Sequence, residues 1–222
     1  MANSTTRRAV LTSAAAAAAV SLTSTRAGAQ APGRRFQPTR HSQDEWLDTV
    51  PGKHRTFIDC ASVGAAGAGM LYANNLYVAN AKGYQLKEAD VAVVVCLRHF
   101  ATVFAFNDTI WAKYGQALSD AVSFVDPKTK QAPAKNLLDD AGYSQLPVST
   151  ISAVVKRGTQ FAVCDMATNM LAGVVASSTK GVQEAIYTEF VRNLIPNSHL
   201  MAAGVVAVNR AQEYGYTLLT AI

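Results

Sequence analysis

The chain has 222 residues, half of them apolar, with 20 lysines and arginines against 15 aspartates and glutamates. That length fits one domain with a sizeable core, and three cysteines spread through it do not make a disulfide-rich scaffold. Arg7, Arg8 and Arg26 lie in a leader segment, and without them the formal charge of +5 falls to +2, leaving no basic stripe to suggest nucleic acid.

The leader runs Ser4-Thr5-Thr6-Arg7-Arg8-Ala9-Val10-Leu11, continues through an alanine-rich stretch from Ala14 to Val20, and ends Thr25-Arg26-Ala27-Gly28-Ala29. A charged start, a short apolar region and an Ala-x-Ala ending are the parts of a secretory signal peptide. The adjacent Arg7 and Arg8 point to the twin-arginine route, and the apolar region is too short and too mild to span a bilayer. The expectation is a signal over 1–29, removed after Ala29, and a periplasmic protein with no integral membrane segment. In an oxidising compartment the odd set Cys60, Cys96 and Cys164 leaves at least one thiol unpaired within the monomer.

Residues 30–52, with Pro32, Gly33, Pro38 and Pro51, read as a polar linker or arm with a short helix near Asp44–Asp48 and Trp46 as an anchor. A domain is expected over 53–222. Arg55 to Cys60 reads as a strand, and the run Gly64-Ala65-Ala66-Gly67-Ala68-Gly69 as a small-residue loop. Met70, Leu71, Leu76, Tyr77 and Val78 recur at helical spacing up to Gly83. Ala89 to Leu97 is a continuous β-branched run, the mark of a strand buried on both faces of a parallel sheet. Phe104 to Tyr114 predicts a helix with an aromatic face, and Asp126 to Tyr143 an insertion-like loop. Ser149 or Thr150 caps a helix ending at Arg157-Gly158. Phe161 to Cys164 is a strand, followed by helices over Met166 to about Ala176 and Val182 to Leu194. Ser198 to Met201 (strand), Gly204 to Tyr214 (helix) and Tyr216 to Ile222 (strand) close the chain. Strands alternating with helices predict an α/β fold, a three-layer α/β/α sandwich on a mostly parallel sheet of about five strands.

Open parallel sheets bind ligands at the carboxyl ends of their strands, and Cys60, Cys96 and Cys164 all fall near such ends. Cys164 is the sharpest candidate for a catalytic thiol, because the residues after it open a helix whose unpaired N–H groups favour negative charge. Asp165 works against this by repulsion or caps the helix. A second group, Arg98 and His99 with Asn107, Asp108 and Trp111, follows the buried strand and offers a ligand-binding site. His99 could be a base, a ligand or a donor to an anion, or could satisfy loop carbonyls. Arg98 could hold a carboxylate or sulfur oxyanion, or pair with Asp108 or Asp90. The Gly64–Gly69 run lacks the order and the Lys-Ser/Thr of nucleotide-binding loops, and G-x-S-x-G is absent. His41, His54, His99 and His199 are scattered without metal-ligand spacing, so no metal is assigned, and the cofactor stays open.

Two segments carry a family resemblance. Gly158-Thr159-Gln160-Phe161-Ala162-Val163-Cys164-Asp165-Met166-Ala167-Thr168, and Pro196 through Ala203-Gly204-Val205-Val206 to Gln212-Glu213-Tyr214-Gly215-Tyr216, resemble the sulfur-cysteine strand and the closing helix and strand of DsrE/DsrF-like proteins. Val93 to His99 is similar to that family's second strand. The resemblance covers about 54–222 and implies a persulfide on Cys164, exchange with a sulfur-donor or acceptor protein, and a homo-oligomer. Asp165 and Met166 depart from the small apolar residues usual after the relay cysteine, the arm and the 126–143 insertion are extra, and relay members act in the cytoplasm. Two function classes follow: an exported handler of sulfane sulfur through Cys164, or a non-catalytic periplasmic protein binding a small ligand, metal or partner near Arg98 and His99.

Overall fold

The computed structural model describes residues 37–141 and 149–222; the expected signal peptide and the first part of the arm lie outside the described residues. Five strands form one sheet in the order β4-β3-β2-β1-β5. They are β1 (His54–Cys60), β2 (Val91–Leu97), β3 (Gln160–Cys164), β4 (Ser198–Met201) and β5 (Thr217–Thr220). Every pairing is parallel. The sheet is sandwiched between helices, the three-layer α/β/α arrangement that the alternation of elements predicts.

The β-branched run in β2 is buried at every position, which follows from its place at the centre of the sheet. Its side chains alternate between two cores. Val91, Val93, Val95 and Leu97 join Ile58, Cys60, Phe161 and Val163 on one face. Ala92, Val94 and Cys96 join Phe57, Ala162 and Met201 on the other.

The first face carries α2 (Val63–Tyr84), α3 (Asp108–Val122), α4 (Ile151–Lys156), α5 (Asp165–Thr179) and α6 (Gln183–Arg192). The second is covered by α7 (Gly204–Glu213) and by a short α1 (Trp46–Thr49), whose Leu47 is fully buried. Chain direction explains this division. From β1 to β4 the strands are laid down toward one edge, and β4 to β5 returns across the whole sheet. Right-handed crossovers therefore put the first set of helices on one face and α7 on the other.

The Gly64–Gly69 run, expected as a loop, is instead the opening of α2. Ser62 caps the helix by accepting the Ala65 N–H at 3.1 Å. The small residues let the helix lie close on the sheet: a Cβ on Gly69 would collide with the Cys60 sulfur. The aromatic segment also differs from expectation. His99–Ala105 winds as a tight 3-10 segment, and α3 begins only after Asn107, whose side chain accepts the Thr109 N–H.

The segment 38–53 packs against the second face. Arg55 donates to the carbonyl oxygens of Leu47 (3.0 Å), Asp48 (3.0 Å) and Val50 (3.3 Å). The Tyr216 hydroxyl donates to Leu47 O at 2.9 Å. Trp46 stacks on His199 with ring centres 3.8 Å apart. No helix among the described residues is long and apolar enough to cross a membrane.

Candidate functional site

The connections fix the topological switch point of the sheet. After β1, β2 and β3 the chain turns to the first face, whereas after β4 it turns to the second. Adjacent strands whose outgoing loops diverge leave a crevice at their carboxyl ends, the usual ligand position in such sheets. Here those strands are β3 and β4, paired at their ends through Cys164 and Met201.

Cys164 ends β3 and is also the N-cap of α5, with extended backbone (φ −75°, ψ 111°). Its sulfur accepts the Ala167 N–H at 3.4 Å, and its carbonyl accepts the Thr168 hydroxyl at 2.9 Å. A sulfur in this position receives a backbone donor and the positive end of a fifteen-residue helix, both of which stabilise negative charge developing on it. Its residue exposure is 7%. Asp165 does not share the cap: its carboxylate accepts the Tyr187 hydroxyl from α6 at 2.8 Å, and that bond, with burial, pushes the Tyr187 hydroxyl up to about 12.

Arg98 follows β2 as Cys164 ends β3. Leu97 pairs with Val163, so Arg98 and Cys164 are the next residues on neighbouring strands, on the face shared by Asp59 and Cys96. The Arg98 fork is closed on Asp59, with Nε donating to Oδ1 at 2.6 Å and Nη2 to Oδ2 at 2.8 Å. Neither Asp108 nor Asp90 is its partner; they accept the backbone N–H groups of Asn136 and Lys87. The Asp59 hydrogen bond is the largest cause raising Arg98 above its ordinary range, with burial working against it. The amino end of α7 rests on this arginine, and a Cβ on Gly204 would collide with its side chain. Asp59, absent from the sequence-derived candidates, is a carboxylate in an otherwise apolar strand end. That oddity is the signal that could have found it.

The other candidates separate from this pair. His99 is exposed, has a left-handed backbone (φ 53°) and stacks on Phe100. Asn107 caps α3, and its side chain donates to Asn193. It lines a different cleft of about 310 Å³ with Asp108, Thr109 and Asn136. Trp111 is a core residue, fully buried against Phe104 and Phe124. Neither Asn107 nor Trp111 shares a hydrogen bond or ring contact with Arg98 or His99 among the described residues.

The three thiols also diverge. All are free and buried, but Cys60 lies on the opposite face from Cys96. Burial pushes the Cys60 thiol up to about 12, assisted by Asp59, and drives Cys96 well above its ordinary range. Among the described residues no His, Cys, Asp and Glu group is arranged to hold a metal ion. Exposed apolar side chains sit close in sequence to the site: Phe100 after Arg98, Met166 after Cys164, and Val205 after Gly204. No family model, curated protein or solved structure matches the chain.

Proposed function

We propose that this is an exported DsrE-like protein that carries sulfane sulfur on Cys164. The observation that carries the reading is the cap: the cysteine at the carboxyl end of β3 has its sulfur on a helix amino end with the Ala167 N–H aimed at it. In the proposed step the Cys164 thiolate attacks the outer sulfur of a donor persulfide, R–S–SH. The donor S–S bond breaks, R–S⁻ leaves with the electron pair, and a new S–S bond forms on Cys164. The proton stays on the transferred sulfur, and nothing is oxidised overall. The alternative, a small-ligand, metal or partner site near Arg98 and His99, is less favoured because two of the Arg98 donors are committed to Asp59.

Intact mass of protein purified from the periplasm, with and without reductant, tests this. The expected species starts near Gln30 and carries one extra sulfur, removed by reductant and mapped to Cys164. Failure of Cys164 to gain sulfur from any persulfide donor overturns the reading. Export belongs to the same proposal, and Arg7→Lys with Arg8→Lys should leave precursor in the cytoplasm. So does self-association. Of the small and apolar residues of α5, Ala167, Leu171, Ala172 and Val175 are turned into the core. Met166, Met170 and Val174 instead line the outer face of α5. A monomer mass by light scattering over a wide concentration range would count against it.

A further inference from the structure

The two edges of the sheet are finished differently. At one edge β4 is partly covered: Leu200 packs on the first core, and Trp46 stacks on His199 from the second face. At the other edge β5 is bonded to β1 alone among the described residues, and Thr217, Leu218, Leu219 and Thr220 are all exposed. One hydrogen bond shows which main-chain groups are left over. Ala221 donates its N–H to Asp59 O at 2.9 Å. By alternation Thr217, Leu219 and Ala221 turn their N–H and C=O groups to β1, and Leu218 and Thr220 turn theirs outward. Natural sheet edges are commonly closed to other chains by charge, proline or a bulge. The segment Tyr216-Thr217-Leu218-Leu219-Thr220-Ala221-Ile222 has no charged side chain and no proline, and its register against β1 is unbroken. Its leucines stand out on both faces: Leu218 beside Phe57 is 41% exposed, and Leu219 beside Ile58 is 37% exposed.

We infer that β5 is the docking edge for a second copy of this chain, the two β5 strands pairing antiparallel about a two-fold axis into one continuous sheet. The outward N–H and C=O groups call for a strand, and the flanking leucines call for one that is apolar on both faces. β5 itself meets both conditions, and a two-fold contact between uncharged strands sets no like charges opposite each other. In antiparallel pairing, opposite residues exchange both hydrogen bonds or neither. Within Thr217–Thr220 the register that engages every outward group is therefore centred on Leu219. Leu218 then faces Thr220 of the second copy, Thr220 faces its Leu218, and the two Leu219 side chains meet on the first face. A four-residue edge lies below the ~800 Å² per partner of a stable interface, so the dimer is a dissociable one, half-formed at roughly tens of micromolar. The inference gives the self-association proposed above a surface and does not depend on sulfur reaching Cys164. A chain that dimerises through β5 without loading sulfur fails the carrier reading and keeps this one, and a chain that loads Cys164 as a monomer does the reverse.

Light scattering of the processed chain from about 1 µM to about 1 mM should show the mass double, and a monomer mass throughout overturns the inference. Thr220→Pro removes an outward N–H and leaves the bonds to β1 in place, as proline does on an edge strand. It should weaken dimerisation about ten-fold or more, the scale of two lost hydrogen bonds, with the unfolding midpoint unchanged. Met170→Glu, on the exposed side of α5, should leave dimerisation as it was. A dimer that survives Thr220→Pro, or that Met170→Glu disrupts, keeps self-association and overturns the β5 edge. Because Thr220→Pro could disturb the strand itself, two further measurements stand beside it. In the unaltered protein, amide exchange at Leu218 and Thr220 should slow as concentration rises, and exchange independent of concentration overturns the inference. Leu219→Cys should form a 219–219 disulfide under mild oxidation, mapped by peptide mass, because Cα atoms of a non-hydrogen-bonded pair lie about 4.5 Å apart. Leu218→Cys, set opposite Thr220 and on the other face, should form none. A link at 218 in place of 219 overturns the proposed pairing.

Discussion

Cys60 and Cys164 each end a parallel strand that runs directly into a long helix, and their thiols meet opposite surroundings. After Cys60 the chain takes two more residues, so that Ser62 becomes the cap of α2 and the thiol turns into the core beneath Gly69. After Cys164 there is no spacer: α5 begins at Asp165, and the thiol is itself the cap. Two residues of linker thus separate a sulfur packed as a hydrophobe from one facing a helix amino end. The comparison shows that strand-to-helix spacing, more than the neighbouring residue types, decides what a strand-end cysteine does.

The largest test of this contrast is kinetic. Alkylation of the folded protein with a neutral reagent should modify Cys164 faster than Cys60 or Cys96 by roughly two orders of magnitude. Equal rates by peptide mapping would erase the distinction. Gly69→Ala probes the buried side, since its methyl group would strike the Cys60 sulfur. It should cost about 1–3 kcal/mol in denaturant unfolding, the usual penalty of overpacking. Gly64→Ala, in the same helix with nothing near its Cβ, should instead gain about 0.4–1 kcal/mol. The caps come next: Ser62→Ala should lose about 1 kcal/mol. Cys164→Ser, which keeps a cap acceptor, should stay within about 0.5 kcal/mol of the parent while losing all sulfur loading.

The smallest effect lies on the second face. Burial lowers the proton affinity of His199 in the folded chain, so below an unfolded value of about 6.5 the unfolded state binds the extra proton. This contribution is fully present above that pH and is lost as pH falls toward the folded value. His199→Gln should flatten the stability profile there, and quenching of Trp46, stacked on the ring, should follow the same titration.

What could be read from the sequence divides along physical lines. The β2 run was legible because burial on both faces leaves no polar alternation to confuse it, and Cys164 was legible because strand and helix adjoin. The Gly64–Gly69 helix was not, since Gly69 answers to a close approach to the Cys60 sulfur rather than to local propensity. Trp111 read as a site residue only because its place on the inner side of α3 was unknown. The Arg98–Asp59 pair was hidden for a similar reason. Its sequence-local candidates were Asp90 and Asp108, whereas the true partner lies on the neighbouring strand, 39 residues away, and is identified only once strand order is known.

The contact between Tyr216 and Leu47, 169 positions apart in the chain, has a consequence for how the molecule folds. The second face cannot close until the last strand exists, because Arg55 and Tyr216 hold the N-terminal segment from β1 and from just before β5. Contacts of such long sequence separation form slowly and late. Until α7 and Tyr216 dock, Phe57, Val94 and Cys96 stay uncovered. Docking of the second face, rather than growth of the first core, is then the late event in folding.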